Sequence, residues 1–294
     1  MAAVRDLGMD PGAAFGVASL RTCGVRLVQA GAFSSGSAPA SGWKRAFSEG
    51  GGLCTTHCTT AYPFFRVLLF LVWSACVFNS MREHVERRGA RLCYWFIWMT
   101  HMSAATLLAQ LGLAAYTACK ARVGKGSDED LRSWDMTVTW ALSTMAPTMT
   151  FMVACLYWMF VHGPGEPVSL QSLSVHDFPF AIAVLDLVTR RQPYLLRHVY
   201  LPMLHGTGYV VFSFVYYVAG GQTESGSRVM YSNLDWSKPA EVVRRAALVI
   251  LVATPAVYTF FLGVAILCER CAQLHGDRET ASDKHRNSNA GPEV

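Results

Sequence analysis

Charges in this chain sit in short clusters, separated by apolar runs of about 18 to 28 residues that carry few or none. A water-soluble chain of 294 residues would scatter its charges along every helix. Here 52% of the residues are hydrophobic and 15% charged, against about 25% charged in an ordinary soluble domain. The pattern predicts an all-α fold: an integral membrane bundle of six transmembrane helices.

The spans fall at about 63–80, 92–119, 135–161, 168–188, 198–219 and 246–267. The first opens on Pro63, suited to a first helical turn. The second reads as one unbroken run, long enough to tilt. The third and sixth carry Pro147 and Pro255, which membrane helices tolerate where neighbours satisfy the freed carbonyl. In the fourth, the strongly apolar stretch 178–188 is too short to cross about 30 Å of hydrocarbon, so the span must extend back to about Val168. Its first half then holds Ser169, Gln171, Ser172, Ser174, His176 and Asp177. Lipid rejects such a face, so this span is expected at the centre of the bundle or against a wet cavity.

Lys and Arg concentrate in the loops 120–134 and 190–197 and in both tails, which places both termini on the cytoplasmic side. Arg82, Arg87, Arg88 and Arg91 run against that orientation. Residues 1–62 are rich in Gly, Ala and Ser with no helical period and read as a disordered or weakly structured tail, solvated rather than organelle-targeting. Residues 268–294 are expected to form a disordered C-terminal tail. The net charge of +5 lies at span ends, without interleaved stacking aromatics, so nucleic acid is not an expected partner. Membrane lipids are, and the plasma membrane and endoplasmic reticulum both fit the span lengths.

Two polar residues fall at equal depth. Thr100 lies about eight residues into the second span and His176 about eight into the extended fourth, roughly 12 Å deep at 1.5 Å per residue. A hydroxyl and an imidazole at one depth are the minimum for a base-activated nucleophile. The bland alternative is a threonine bonded to its own helix backbone and a histidine bridging two helices. Asp177 and His101 point away from the pair around their helices. Ser103, Ser172 and Ser174 are the available hydroxyls for an oxyanion. Asp186, His198 and His205 lack metal-ligand spacing, so neither a metal nor another cofactor is expected, and Asp186 is expected to pair with Arg190 or Arg191. Of nine cysteines, Cys76, Cys93, Cys119 and Cys155 act as small hydrophobes; Cys268 and Cys271, just past the last span, are candidate lipidation sites, and Cys54 and Cys58 form a weak pair.

Several segments together carry a family resemblance: His176 followed by Val184-Leu-Asp-Leu-Val, then Arg191-Gln-Pro, His198-Val-Tyr-Leu-Pro, Tyr209-Val-Val-Phe, Tyr216-Tyr-Val-Ala-Gly-Gly221 and Tyr231-Ser-Asn-Leu-Asp-Trp236-Ser-Lys-Pro. With Tyr94-Trp-Phe-Ile-Trp-Met-Thr100 upstream, the stretch 64–268 resembles the rolling stone family of multi-pass membrane proteins. That family is distantly similar to the androgen-induced-gene membrane hydrolases, which cleave fatty-acid esters of hydroxy fatty acids with an intramembrane threonine and histidine. The similarity implies Thr100 as nucleophile and His176 as base, with a lipid ester as substrate. A non-enzymatic, adhesion-linked membrane role is the first expectation, with Tyr231 and Trp236 as interfacial anchors; the lipid-ester hydrolase is the alternative. A transporter has less support, since no inverted repeat is visible.

Overall fold

The computed structural model describes residues 61–89, 91–123, 134–163, 165–190 and 192–289, with backbone alone at 87, 88 and 272–289. The tail 1–60 with Cys54 and Cys58, and Arg191 in its loop, lie outside the described residues. All regular structure among the described residues is helical. Helix α1 (Tyr62–Arg88) carries Pro63 in its first turn and stops at Gly89, whose φ of 58° is the left-handed conformation that ends helices. One face buries Leu69, Trp73 and Val77, while Phe64 and Phe78 on the other are 72% and 70% exposed. Apolar residues on both faces suit a helix with protein on one side and lipid on the other.

The second span is not continuous. A 3₁₀ segment (Leu92–Ile97) leads to Trp98 in extended conformation, and only then does α2 (Met99–Val123) begin. The break has a local cause, because side chains take the carbonyls that a continuous helix would use. His101 Nδ1 donates to Trp95 O at 2.7 Å, and Tyr209 donates to Ile97 O at 2.9 Å.

Helix α3 (Trp134–Phe160) packs on α2 and on most later helices. Of its most apolar window 72% is buried, against 33% for the fourth span, so the third span and not the fourth is the central helix. Its interior carries buried Thr139, Ser143, Thr144, Thr148 and Thr150. The fourth span divides into α4 (Leu170–His176) and α5 (Phe178–Thr189), jointed at Asp177 ahead of Pro179. Together they cover Leu170–Thr189, in keeping with the backward extension inferred from length.

A 3₁₀ turn (Leu196–Val199) enters α6 (Tyr200–Val218), and a loop leads to α7 (Pro239–Leu248). A π-turn (Val249–Ala253) joins α7 to α8 (Thr254–Asn289). Pro255 has no N–H to donate backward, and the Thr254 hydroxyl donates to Val249 O at 2.9 Å within that widened turn. Helix α8 runs past Cys268 to Asn289 where a disordered tail was expected. The segment has no proline before Pro292 that would stop the helix.

Among the described residues, five helices are long and apolar enough to cross a membrane: Tyr62–Glu86, Met99–Val123, Trp134–Phe160, Leu170–Thr189 and Pro239–Cys271. The expected fifth of six spans, now α6, is not among them. His205, Gly206, Thr207 and Gly208 lower the apolarity of its first half.

One buried ion cluster ties these helices together. Asp186 on α5 pairs with Arg66 on α1 and, at 3.4 Å, with Arg190; Gln110 on α2 donates to its Oδ2 at 3.3 Å. Arg190 also donates to Ser143 O, the carbonyl left without its helical partner by Pro147. Asp186→Asn leaves two buried guanidinium groups without a carboxylate and is expected to destabilise the fold by about 3–5 kcal/mol. Arg66→Met retains the one-to-one pair with Arg190 and should cost less. Thermal unfolding of the purified variants in detergent checks this order.

Candidate functional site

Arg66 and His84 lie at opposite ends of α1, about 27 Å apart at 1.5 Å per residue. The ion cluster marks the first end. At the second, α1, α2, α3, α4, α6 and the π-turn surround a cavity of about 550 Å³. Its walls are largely apolar, from Val153, Leu156, Phe160, Val210, Leu248 and Ile250. Its polar lining includes Thr100, His101, His84, Ser172, His176, Tyr209 and Tyr231. Glu166 and Arg245, with side chains 65% and 46% exposed, connect the lining to the surface.

Thr100 and His176 therefore line one cavity, and each is placed by a helix end. Thr100 is the second residue of α2, immediately after the break at Trp98. Thr106, Thr117, Thr139, Thr144 and Thr150 all donate their hydroxyls to the carbonyl four residues back, at 2.7–2.9 Å. Thr100 has no helical turn behind it to accept such a bond, and its hydroxyl lies instead against the Tyr231 phenol. The expectation of a threonine bonded to its own helix fails here for that reason.

His176 ends α4. Its Nδ1 lies 2.9 Å from Ser172 O, and because a carbonyl only accepts, Nδ1 carries the proton and Nε2 keeps its lone pair. The ring stacks on Tyr157 with centroids 3.4 Å apart. A carbonyl-oriented imidazole with Nε2 left basic is the form a general base requires.

Other assignments change. His101, expected to face away, lines the same cavity, stacked on Trp95 with 4.4 Å between centroids, because the break at Trp98 turns the first turn of α2 as a unit. Asp177 does turn away and accepts from Trp158 Nε1 at 3.0 Å. Ser172 lines the cavity, but its Oγ accepts from Tyr157 at 3.0 Å; Ser174 donates to Gln171 O, and Ser103 is not in the lining. Asp186 pairs with Arg190 as expected and also with Arg66, a residue inside the first apolar run. Among the described residues no group of three His, Cys, Asp or Glu side chains converges as a metal site, and His198 packs edge-on against Trp140. Cys268 is half-buried and Cys271 exposed near the end of the last candidate span. Tyr231, read from sequence as an interfacial anchor, reaches the cavity and touches Thr100.

Spanning helices around a polar-ended cavity define a multi-pass α-helical membrane protein. A family profile described as Protein rolling stone matches residues 99–270, more than half of the chain, and the chain belongs to that family. The match begins with α2 and includes both Thr100 and His176, whereas α1 and Tyr94 to Trp98 lie outside it. The chain is also similar to Protein rolling stone of Drosophila melanogaster, 25% identical over 105 residues, covering 35% of this chain and 38% of that protein. It thus spans well under two thirds of the length of that curated relative. No solved structure matches.

The cavity makes position 100 reachable by small reagents. Thr100→Cys should react with neutral methyl methanethiosulfonate at least about tenfold faster than Thr117→Cys, which is fully buried between helices, since packed thiols are inert. Peptide mass spectrometry of each folded variant measures both rates.

Proposed function

We propose that this protein hydrolyses lipid esters within the membrane, with Thr100 as nucleophile and His176 as general base. The observation that supports it most is the placement of Thr100: a threonine released from backbone bonding, lining the same cavity as His176, whose Nδ1 is held by the Ser172 carbonyl. The resemblance to the androgen-induced-gene hydrolases read from the sequence implies the same two residues. Apolar walls suit acyl chains, and the exposed groups at the rim give water and a polar product a way out.

In this mechanism Nε2 of His176 takes the proton as Thr100 Oγ attacks the ester carbonyl. The alcohol leaves with that proton, and a water activated by the same nitrogen releases the acyl group from Thr100. The substrate class is a lipid ester whose scissile carbonyl reaches the polar end while its chains lie along Val153, Leu156 and Ile250.

The second reading is the non-enzymatic, adhesion-linked role, in which the cavity only seats a lipid. The contact between the Thr100 hydroxyl and Tyr231 favours it, since it occupies the group that would attack. A panel of lipid esters, including fatty-acid esters of hydroxy fatty acids, separates the two. Purified wild type in detergent should hydrolyse at least one, and Thr100→Ala and His176→Ala should each lower kcat by at least about 10³-fold with folding retained. A folded wild type inert across the panel supports the non-enzymatic role.

A further inference from the structure

The loop between α6 and α7 carries the motif beginning at Tyr231, which the proposed chemistry leaves unused. It is held at both ends. Gly220 and Gly226 turn with φ of 78°, and Tyr216 donates to Gln222 O at 2.6 Å. Trp236 Nε1 donates to the buried Ser213 hydroxyl at 3.1 Å and packs on Phe214. The loop thereby forms a strap across the end of the cavity, with Tyr231 pointing inward. Its ring meets Trp98 edge-on, 5.2 Å between centroids, and a 3₁₀ turn (Ser232–Leu234) follows directly.

The phenol oxygen faces the Thr100 hydroxyl and the backbone N–H groups of Met99 and Thr100, which the first turn of α2 cannot bond within the helix. The Thr100 hydroxyl and an N–H of that turn can fill the two lone pairs of the phenol oxygen, while the phenol's own proton meets the Tyr209 oxygen at rest and finds a second acceptor in a carbonyl oxygen that enters the cavity. The neighbouring Tyr209 differs, because its hydroxyl is committed to Ile97 O at 2.9 Å.

Resting on the hydrolase reading, we infer that Tyr231 is a catalytic residue whose O–H stabilises the oxyanion formed when Thr100 attacks an ester. As the Thr100 Oγ–carbonyl carbon bond forms, the C=O π pair moves onto the carbonyl oxygen, and the Thr100 proton passes to His176 Nε2. The Tyr231 O–H donates a hydrogen bond to that oxygen and keeps its proton. When the intermediate collapses, the pair returns, the ester C–O bond breaks, and the alcohol leaves with the proton from His176. Deacylation by water repeats the sequence with the same donor. Burial raises the pKa of the Tyr231 phenol, so it stays protonated at neutral pH.

An alkyl fluorophosphonate tests this without a known substrate. Thr100 Oγ forms a bond to phosphorus, fluoride leaves, the hydroxyl proton goes to His176, and charge develops on the phosphoryl oxygen. Wild-type protein should be labelled at Thr100 and Thr100→Ala should not, with sites assigned by peptide mass spectrometry. Tyr231→Phe should label about 10²-fold more slowly, the cost of one lost oxyanion donor, with unchanged affinity for an unreactive alkylphosphonate. Tyr116→Phe, which removes an exposed phenol of α2 outside the cavity lining, should stay within about twofold of wild type. Should Tyr231→Phe fail to fold, 3,5-difluorotyrosine at 231 keeps ring and hydroxyl and should retain labelling. Equal labelling of wild type and Tyr231→Phe, or loss of labelling with difluorotyrosine, overturns the role of Tyr231 and leaves the hydrolase reading standing. A folded wild type that is not labelled at Thr100 overturns both.

Discussion

Asp186 is the group on which the bundle depends. In a hydrocarbon environment no water compensates an unpaired charge or carbonyl, so each must find a protein partner. Pro147 frees the Ser143 carbonyl in the middle of α3, Arg190 occupies it, and Asp186 neutralises Arg190 while also holding Arg66 of α1. Gln110 adds α2 through both Ser143 Oγ and Asp186. Four helices are thereby fixed in rotation and height by side chains that have no alternative partner in lipid. The conformational specificity of the fold follows from that lack of alternatives more than from the net strength of the ion pairs.

Fixing one end determines the other. With α1, α2, α3 and α5 held at the ion cluster, the far ends of α1 and α3 and the first turns of α2 and α4 enclose the cavity. The interruption at Trp98 makes position 100 part of a helix start, and that changes its chemistry. A threonine elsewhere in α2 returns its hydroxyl to the backbone, as Thr106 and Thr117 do. Thr100 lies in the cavity lining, where its hydroxyl meets the Tyr231 phenol. His176 is held in the complementary way, by a carbonyl one turn back that fixes its tautomer.

Much of this was legible in the sequence. Charge clustering located the apolar helices, and the short apolar core of the fourth span required the polar extension that brings Ser172 and His176 to the cavity. Equal depth singled out Thr100 and His176, and both line the cavity, each from a helix end rather than from a continuous span. Other features depend on tertiary partners that periodicity does not reveal. Arg66 is a lone charge in an apolar run whose partner, Asp186, lies 120 residues along the chain, beyond the reach of local periodicity. The break at Trp98 was invisible because Tyr209 and His101 supply the competing hydrogen bonds. The central position of α3 rests on small hydroxylated residues whose burial hydropathy underrates. The fifth expected span, α6, is less apolar than the five candidate spans because His205 to Gly208 interrupt its run. Tyr231 passed as an anchor because aromatics at membrane boundaries need no other explanation.

The central claim is that Thr100 carries an acyl group during turnover. The most direct measurement is acid quenching of the protein during steady hydrolysis of a lipid ester, followed by peptide mass spectrometry of the α2 segment. The account predicts the acyl mass on Thr100, appearing within the first turnover and lost after substrate is exhausted. Sustained hydrolysis with Thr100 unmodified at every quench time would contradict it and assign the attack to water.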